Sequence, residues 1–256
     1  MKIATYNANS IRARLDLLLA WIDRHKPDVL CVQETKVQDK DFPLEAFKDA
    51  GYQVTFKGQK SYAGVATISK QAPEEKVLRM DEEPQDARFI ATKVDSLWVI
   101  NTYAPQGREL DSEHFQYKLK WFSRFADFLR HHHDPSENLL WCGDLNVAPS
   151  ELDVHDPKRL KNHVDFHPDA RAALQKVMDW GLSDAFRKIH PDEPGHFSFW
   201  DYRVPKAMER GLGWRIDHVM VTSPILKRVR DAWIDTEARR EPKPSDHTFL
   251  VVDLDL

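Results

Sequence analysis

The stretch L139-L-W-C-G-D-L-N146 runs four apolar residues straight into glycine, a carboxylate and an amide. Leu139 to Cys142 read as a buried core strand. Asp144 and Asn146 then stand where a buried strand opens, and Gly, Asp and Asn are also ordinary turn formers. The choice between a turn and a site rests on the rest of the chain. Similar runs, at 3–6, 29–33, 64–68, 89–94, 97–103, 216–221 and 249–254, alternate with apolar residues spaced three and four apart. The spacing predicts helices carrying Leu15, Leu18, Leu19 and Ile22, then Phe115, Leu119, Phe122, Phe125, Phe128 and Leu129, then Ala170, Leu174, Val177 and Met178. Pro27 and Gly181 mark two of their ends. Alternation of this kind points to a layered α/β or α+β fold.

The chain has 256 residues, 41% hydrophobic and 30% charged, enough for one large domain spanning 1–256 with a substantial core. The opening residues enter a strand pattern at once and no apolar run approaches membrane length, so the expectation is a cytoplasmic protein. Cys31 and Cys142 each sit inside an apolar run without a CxxC partner and read as reduced core thiols. A net charge of −4 argues against a surface that attracts nucleic acid everywhere. Any such face is local, with Arg12 and Arg14, Lys57 and Lys60, Lys118 and Lys120, and the group Arg203, Lys206, Arg210 and Arg215 as its sources. The acidic segments Glu74–Glu75 and Asp81–Glu83 are expected to face away.

Polar residues recur at strand ends. Asn7 closes the first strand, Glu34 the second, Tyr103 the 97–103 strand; Asp217 lies beside the 216–221 strand, and Asp246-His247 precede the last. Each end alone is ordinary loop chemistry, whereas together they suggest one cleft. Glu34, Asp144, Asp246, Asn7 and Asn146 are hard oxygen donors, which suit Mg²⁺ or Mn²⁺ rather than zinc. Magnesium takes few protein carboxylates and completes its shell with water and phosphate, so a phosphate ester is the natural substrate. His247 can titrate near neutrality, and Asp217 can hold its ring in one tautomer.

These residues lie in the segments TYNANSIRAR (5–14), DVLCVQETKV (28–37), YAGVA (62–66), YAPQG (103–107), CGDLNVAPSELD (142–153), WGLSDAFR (180–187), FSFWDYR (197–203), GWRIDHV (213–219) and KPSDHTFLVV (243–252). In order and over essentially the whole chain, the set resembles the exonuclease III family of DNA-repair nucleases, the type II abasic-site endonucleases. The resemblance implies a four-layered α/β-sandwich, two packed mixed β-sheets flanked by helices, and hydrolysis of phosphodiesters in double-stranded DNA at blocked 3′ ends, nicks or abasic sites. It assigns Glu34 to the metal, with Asn7 and Asp246 nearby. Asp144 activates or positions the attacking water, and Asn146 orients Asp144 and the phosphate. His247, steadied by Asp217, hydrogen-bonds the scissile phosphate, and Tyr103 contacts it or assists the departing oxygen. Phe199, Trp214 and Ile216 wall a pocket for a flipped sugar without its base, which leaves the stack at least cost. Arg108 and Arg203 grip the duplex. Ser10 stands where many members have Gly and Asn9 where some have Asp; the sequence offers no account of His218.

His167 precedes Pro168 at a helix start, in a cap position usually held by Ser, Thr, Asn or Asp. It reads either as a tolerated loop histidine or as a residue that narrows the pocket, weakening abasic incision while sparing 3′-end processing. The triple His131-His132-His133 reads as a solvated helix end suited to the helix dipole. Three functions remain open. The first is a 3′-to-5′ exonuclease and 3′-phosphatase or 3′-phosphodiesterase, the second a fully active abasic endonuclease, and the third a catalytically silent nucleic-acid-binding member. A phosphoesterase for inositol phosphates or lipid headgroups is disfavoured by the aromatic segments and the absence of an amphipathic membrane stretch. A monomer is expected.

Overall fold

The computed structural model describes residues 1–60, 62–82 and 87–256, so Glu83 of the acidic segment lies outside the described residues. Twelve strands form two six-stranded mixed sheets among them. In the first sheet lie β1 (Lys2–Asn7), β2 (Val29–Gln33), β3 (Gln53–Lys57), β4 (Val65–Ser69), β11 (Val229–Asp235) and β12 (Phe249–Leu254), in the order β11-β12-β1-β2-β4-β3. The second holds β5 (Glu75–Val77), β6 (Phe89–Val94), β7 (Leu97–Tyr103), β8 (Leu139–Asp144), β9 (Leu182–Asp184) and β10 (Asp217–Thr222), in the order β5-β6-β7-β8-β10-β9. The main helices are α1 (Leu15–His25), α2 (Leu44–Asp49), α3 (Glu113–His132), α4 (Pro157–Leu160), α5 (Pro168–Met178), α6 (Ala185–Ile189) and α7 (Ser223–Leu226).

Three apolar layers hold the sandwich together. Ile3, Val29, Cys31, Leu250 and Val252 of the first sheet meet Val99, Leu140, Cys142, Val219 and Val221 of the second. Outside the first sheet, Tyr6, Leu30, Val32 and Phe249 pack on Leu18, Trp21 and Ile22 of α1 and Phe47 of α2. Outside the second, Phe89, Ile100 and Trp141 pack on Trp121, Phe122 and Phe125 of α3 and on Leu174 and Val177 of α5. Central strands buried on both faces are why the sequence reads as continuous apolar runs. Cys31 and Cys142 are free and buried in the inter-sheet layer. Burial, and then the adjacent Cys31 thiol, hold the Cys142 thiol well above its ordinary pKa.

Register brings the strand ends together. Parallel pairing of β7 with β8 sets Tyr103 opposite Asp144, and antiparallel pairing of β10 with β8 sets Asp217 opposite the same Asp144. Gly143 has φ +142°, and a Cβ there would lie 1.8 Å from the Thr102 carbonyl oxygen. Glycine in the opening stretch is therefore required by the close approach of β7, which delivers Asp144 into line with Tyr103.

Two of the suggested surface cations are interior. Lys118 and Arg215 are fully buried, so neither belongs to a binding face. The Lys118 ammonium, on α3, donates to the carbonyls of Gln106 (3.0 Å), Asn146 (2.6 Å) and Val164 (3.1 Å) and pairs with Asp165 (2.8 Å). Arg215 pairs with Asp153 (2.7 Å) and Asp184 (2.8 Å) and donates to His218 Nδ1 (3.0 Å). His218 in turn donates from Nε2 to the Val147 carbonyl (2.8 Å), which fixes its neutral tautomer. Burial and then the Arg215 charge push its pKa down to about 4. His218 is thus a buried tie between Arg215 and the backbone of the 142–153 segment. The histidine triple also divides: His131 and His132 end α3, but the His133 side chain is buried against Trp98 and Phe128.

Candidate active site

A cleft of about 740 Å³ opens where the strand ends of both sheets meet. Glu34, Tyr103, Asp144, Asn146, Asp246 and His247 line its floor, Phe199, Trp214 and Ile216 one wall, and Arg108, Arg159, Arg203 and Arg210 its rim. Asn7 lies beneath, where its Nδ2 donates to both Glu34 Oε1 (2.8 Å) and Asp144 Oδ2 (2.8 Å). Asn146 accepts positive φ (+50°), and its backbone N–H donates to Asp144 Oδ1 (2.9 Å) while its amide donates to the Ala104 carbonyl (2.9 Å). The Asx-turn reading of Asp144-Leu145-Asn146 is therefore correct as local geometry. The same turn fixes the carboxylate at the cleft floor, so turn and site coincide.

Asp217 accepts from His247 Nδ1 at 2.8 Å, leaving Nε2 directed at Asp144 Oδ2, 3.7 Å away. Phe199, bridged by backbone to both Trp214 and His247, lays its ring 4.8 Å from the His247 ring. Burial opposes a charged imidazole, but the carboxylates of Asp217 and then Asp144 outweigh it and raise His247 to about 10. Burial is also the main force on Asp144; His247 lowers it, Asp217 and Glu34 raise it, and the result is a carboxyl pushed up to about 8. Burial, then the charges of Glu34 and Asp144, raise the Tyr103 phenol well above its usual value, and its hydroxyl hydrogen-bonds to Glu34. The Arg88 guanidinium lies over the Tyr103 ring, 4.6 Å from its centre. Glu34 is held below the usual carboxylate range despite burial, chiefly by Lys36, whose ammonium is 2.7 Å from Oε2. Asp246 accepts from Asn9 Nδ2 (3.0 Å).

This donor set fits a hard divalent cation. Carboxylates and amides converge without a thiol, and burial first, then the charges of Asp217 and Glu34, lift Asp144. Asp144, Asp217 and His247 also approach one another closely enough to ligate an ion. Within that group His247 Nδ1 is hydrogen-bonded to Asp217 Oδ2 and Asp144 Oδ2 accepts from Asn7, while Asp217 Oδ1 is buried without a partner among the described residues.

His167 does not line the cleft. Its Nδ1 accepts from Asp169 N at the start of α5, and its ring meets Phe115 edge-on at 5.6 Å. It caps α5 through its side chain. Besides His247, the cleft is lined by His155 and by His163, four residues before His167; the His163 ring lies 4.6 Å from that of Trp214. Sequence reasoning missed both because a loop histidine carries no periodic signal. Arg159 on α4 was missed for the same reason. Arg203 stands at the rim, tied to Asp201 (2.7 Å).

A buried acid–histidine–acid row beside hard donors defines a metal-assisted phosphoesterase class. The sequence model of the endonuclease/exonuclease/phosphatase family matches residues 4–247. Exodeoxyribonuclease III of Haemophilus influenzae is 38% identical over 262 residues, covering 96% of this chain and 97% of that protein. An AP endonuclease of Archaeoglobus fulgidus superposes with TM-score 0.98 at 48% identity, and the 3′-phosphatase NExo from Neisseria, bound to product DNA hairpin, with 0.93 at 34%; each pair is covered over 100% of both chains. The chain belongs to the endonuclease/exonuclease/phosphatase family and, within it, to the exonuclease III family of DNA-repair nucleases.

Proposed function

We propose that residues 1–256 act as one catalytic unit, a monomeric Mg²⁺-dependent (or Mn²⁺-dependent) phosphodiesterase that trims and unblocks 3′ ends in double-stranded DNA. Its activities are 3′-to-5′ exonuclease and 3′-phosphatase or 3′-phosphodiesterase, with weaker incision at internal abasic sites. The observation that carries the reading is the Asp144–His247–Asp217 row at the floor of an arginine-rimmed, aromatic-walled cleft. Glu34, with Asn7 and Asp246 beside it, holds the metal. A cation held there would supply charge neutralisation for phosphoryl transfer.

The residues of the chain do the rest. Asp144 orients and deprotonates the attacking water, and Asn146 keeps Asp144 in place through its backbone N–H. His247 Nε2–H donates to a phosphoryl oxygen, while Asp217 holds the ring by Nδ1. Tyr103, kept protonated by burial, donates to the phosphate or the leaving oxygen. Phe199, Trp214 and Ile216 receive the sugar, and Arg108 and Arg203 meet the backbone on either side. A DNA-bound 3′-phosphatase among the similar structures supports the substrate class.

Single-turnover cleavage separates the roles. Asp144→Asn is expected to lower the rate at saturating Mg²⁺ by about 10³-fold or more, as loss of a general base does. Glu34→Gln is expected to raise the Mg²⁺ concentration needed for half-maximal rate. Equal rates in wild type and Asp144→Asn would overturn the assignment.

A further inference from the structure

On the far side of the Arg215 network from the cleft floor, His190, Glu193 and His196 converge on one point, their ligand atoms all within 4.8 Å of one another. They follow α6 in the segment H190-P-D-E-P-G-H196. Nothing in the phosphodiesterase reading uses them.

The hydrogen bonds there are informative. His190 Nε2 lies 2.9 Å from the Ala232 carbonyl oxygen, which can only accept, so this nitrogen carries the proton. In the neutral ring Nδ1 is then a bare lone pair, yet it faces Glu193 Oε2 at 3.0 Å. His196 Nε2 faces the same oxygen at 2.9 Å. Two ring nitrogens and a carboxylate thus aim at one point, and the more buried ring already has its other N–H on a backbone carbonyl. That is the outer-shell arrangement of metal-ligating histidines.

The scaffold is set in advance. Phe186 stacks on His190 (4.6 Å) and meets His196 edge-on (5.3 Å). Arg187 donates to the carbonyls of His190 (3.0 Å) and Glu193 (2.7 Å), fixing the loop backbone. Its charge is answered by Asp153 rather than by Glu193. Side chains half-exposed to solvent leave an entry path and room for a water ligand.

We propose that His190, Glu193 and His196 form a second metal site, for a borderline divalent ion of the Zn²⁺ class, with water completing a tetrahedron. Bonds of about 2.1 Å place tetrahedral donors about 3.4 Å apart, so the nitrogen–oxygen pairs open by about half an ångström and the two ring nitrogens close by up to about 1.4 Å to admit the ion. The ion ties the end of α6 to the chain entering the Phe197–Trp200 wall. Its role is to stiffen that wall; it takes no part in phosphate chemistry.

The test uses the full chain, stripped by chelator and held in excess Mg²⁺ so that the hard-oxygen site is occupied. Zn²⁺ is titrated by calorimetry and Co²⁺ by its visible absorption, with wild type, His196→Ala and Glu193→Gln. Expected are one Zn²⁺ per wild-type chain, tetrahedral Co²⁺ bands, and a Zn²⁺-induced rise in Tm, all lost or weakened at least tenfold in both variants while Mg²⁺-dependent DNA cleavage persists. Stoichiometric binding that survives both substitutions would overturn the site. So would the absence of binding in wild type, which would leave the cluster as a hydrogen-bonded histidine–carboxylate group.

Discussion

At the residue scale the site is governed by where protons sit. Asp144 is raised to about 8 by burial and neighbouring carboxylates, and His247 to about 10 by Asp217 and Asp144 against burial. Both folded-state values exceed those of the unfolded chain, so the native protein binds more protons and loses stability as pH rises. For Asp144 the stabilising contribution is complete below its unfolded value near 4 and is lost through about 8. For His247 it is complete below about 6.5 and is lost through about 10. Metal-free protein is therefore expected to show a falling Tm from pH 7 to 9. Asp144→Asn should flatten that slope, and Mg²⁺ should raise Tm most at the alkaline end. Calorimetry in chelator and in Mg²⁺ reads both, and a metal-free Tm that climbs over this window contradicts the charge arrangement. A second prediction concerns His163, which reduces the space beside Trp214. His163→Gly is expected to raise abasic incision relative to 3′-phosphate removal by tenfold or more. An unchanged ratio in a two-substrate kinetic assay would dissociate His163 from substrate choice.

At the element scale, α3 reaches into the site through one side chain. Lys118 ties together the loops carrying Gln106, Asn146 and Val164, and burial lowers its pKa against the pull of Asp165. Lys118→Met leaves Asp165 without its cation and the carbonyls without a donor. The expected loss is about 3–5 kcal/mol in denaturant unfolding, the usual effect of breaking a buried pair. Cleavage should also slow in the fraction that remains folded, because Asn146 positions Asp144. A variant as stable as wild type would refute the staple. Lys118 also shows what the sequence conceals: a lysine at α3 spacing looks like a solvated charge, and only the tertiary path of three loops reveals its partners. Strands behave in a consistent way. The eight apolar runs correspond to the central strands, while β3, β5, β9 and β11 were not foreseen. Those four are the edges of the two sheets. Edge strands are short or half-exposed, as the exposed Gln53, Glu75, Arg230 and Asp231 illustrate, so their alternation is broken by charge. Ser10 is a smaller case, at φ +100° where glycine is favoured. Its N–H donates to the Glu34 carbonyl (2.8 Å), which retains the strained turn beside Glu34.

At the scale of the whole molecule, function follows from how two sheets stack. Six strand ends from different parts of the chain carried the site residues, and their meeting was legible as soon as each run was seen to end in a ligand or acid–base group. The order of the sheets and the register that sets Tyr103, Asp144 and Asp217 side by side were not, because pairing partners lie far apart in sequence. For a related reason local sequence does not by itself place a loop histidine such as His167, which caps α5. Charge shows the same division of labour. A chain of net charge −4 gathers arginines at the rim of one cleft, where the proposed polyanion would dock, while Arg215 and Lys118 spend their charge inside. The most direct test gives the purified protein three labelled duplexes at one ionic strength, with Mg²⁺ or with chelator: a nick bearing a 3′-phosphate, a recessed 3′-hydroxyl end, and an internal abasic analogue. The account predicts fast metal-dependent action on the first two and slow incision of the third. Cleavage that persists in chelator, or internal incision as fast as 3′-phosphate removal, would contradict it.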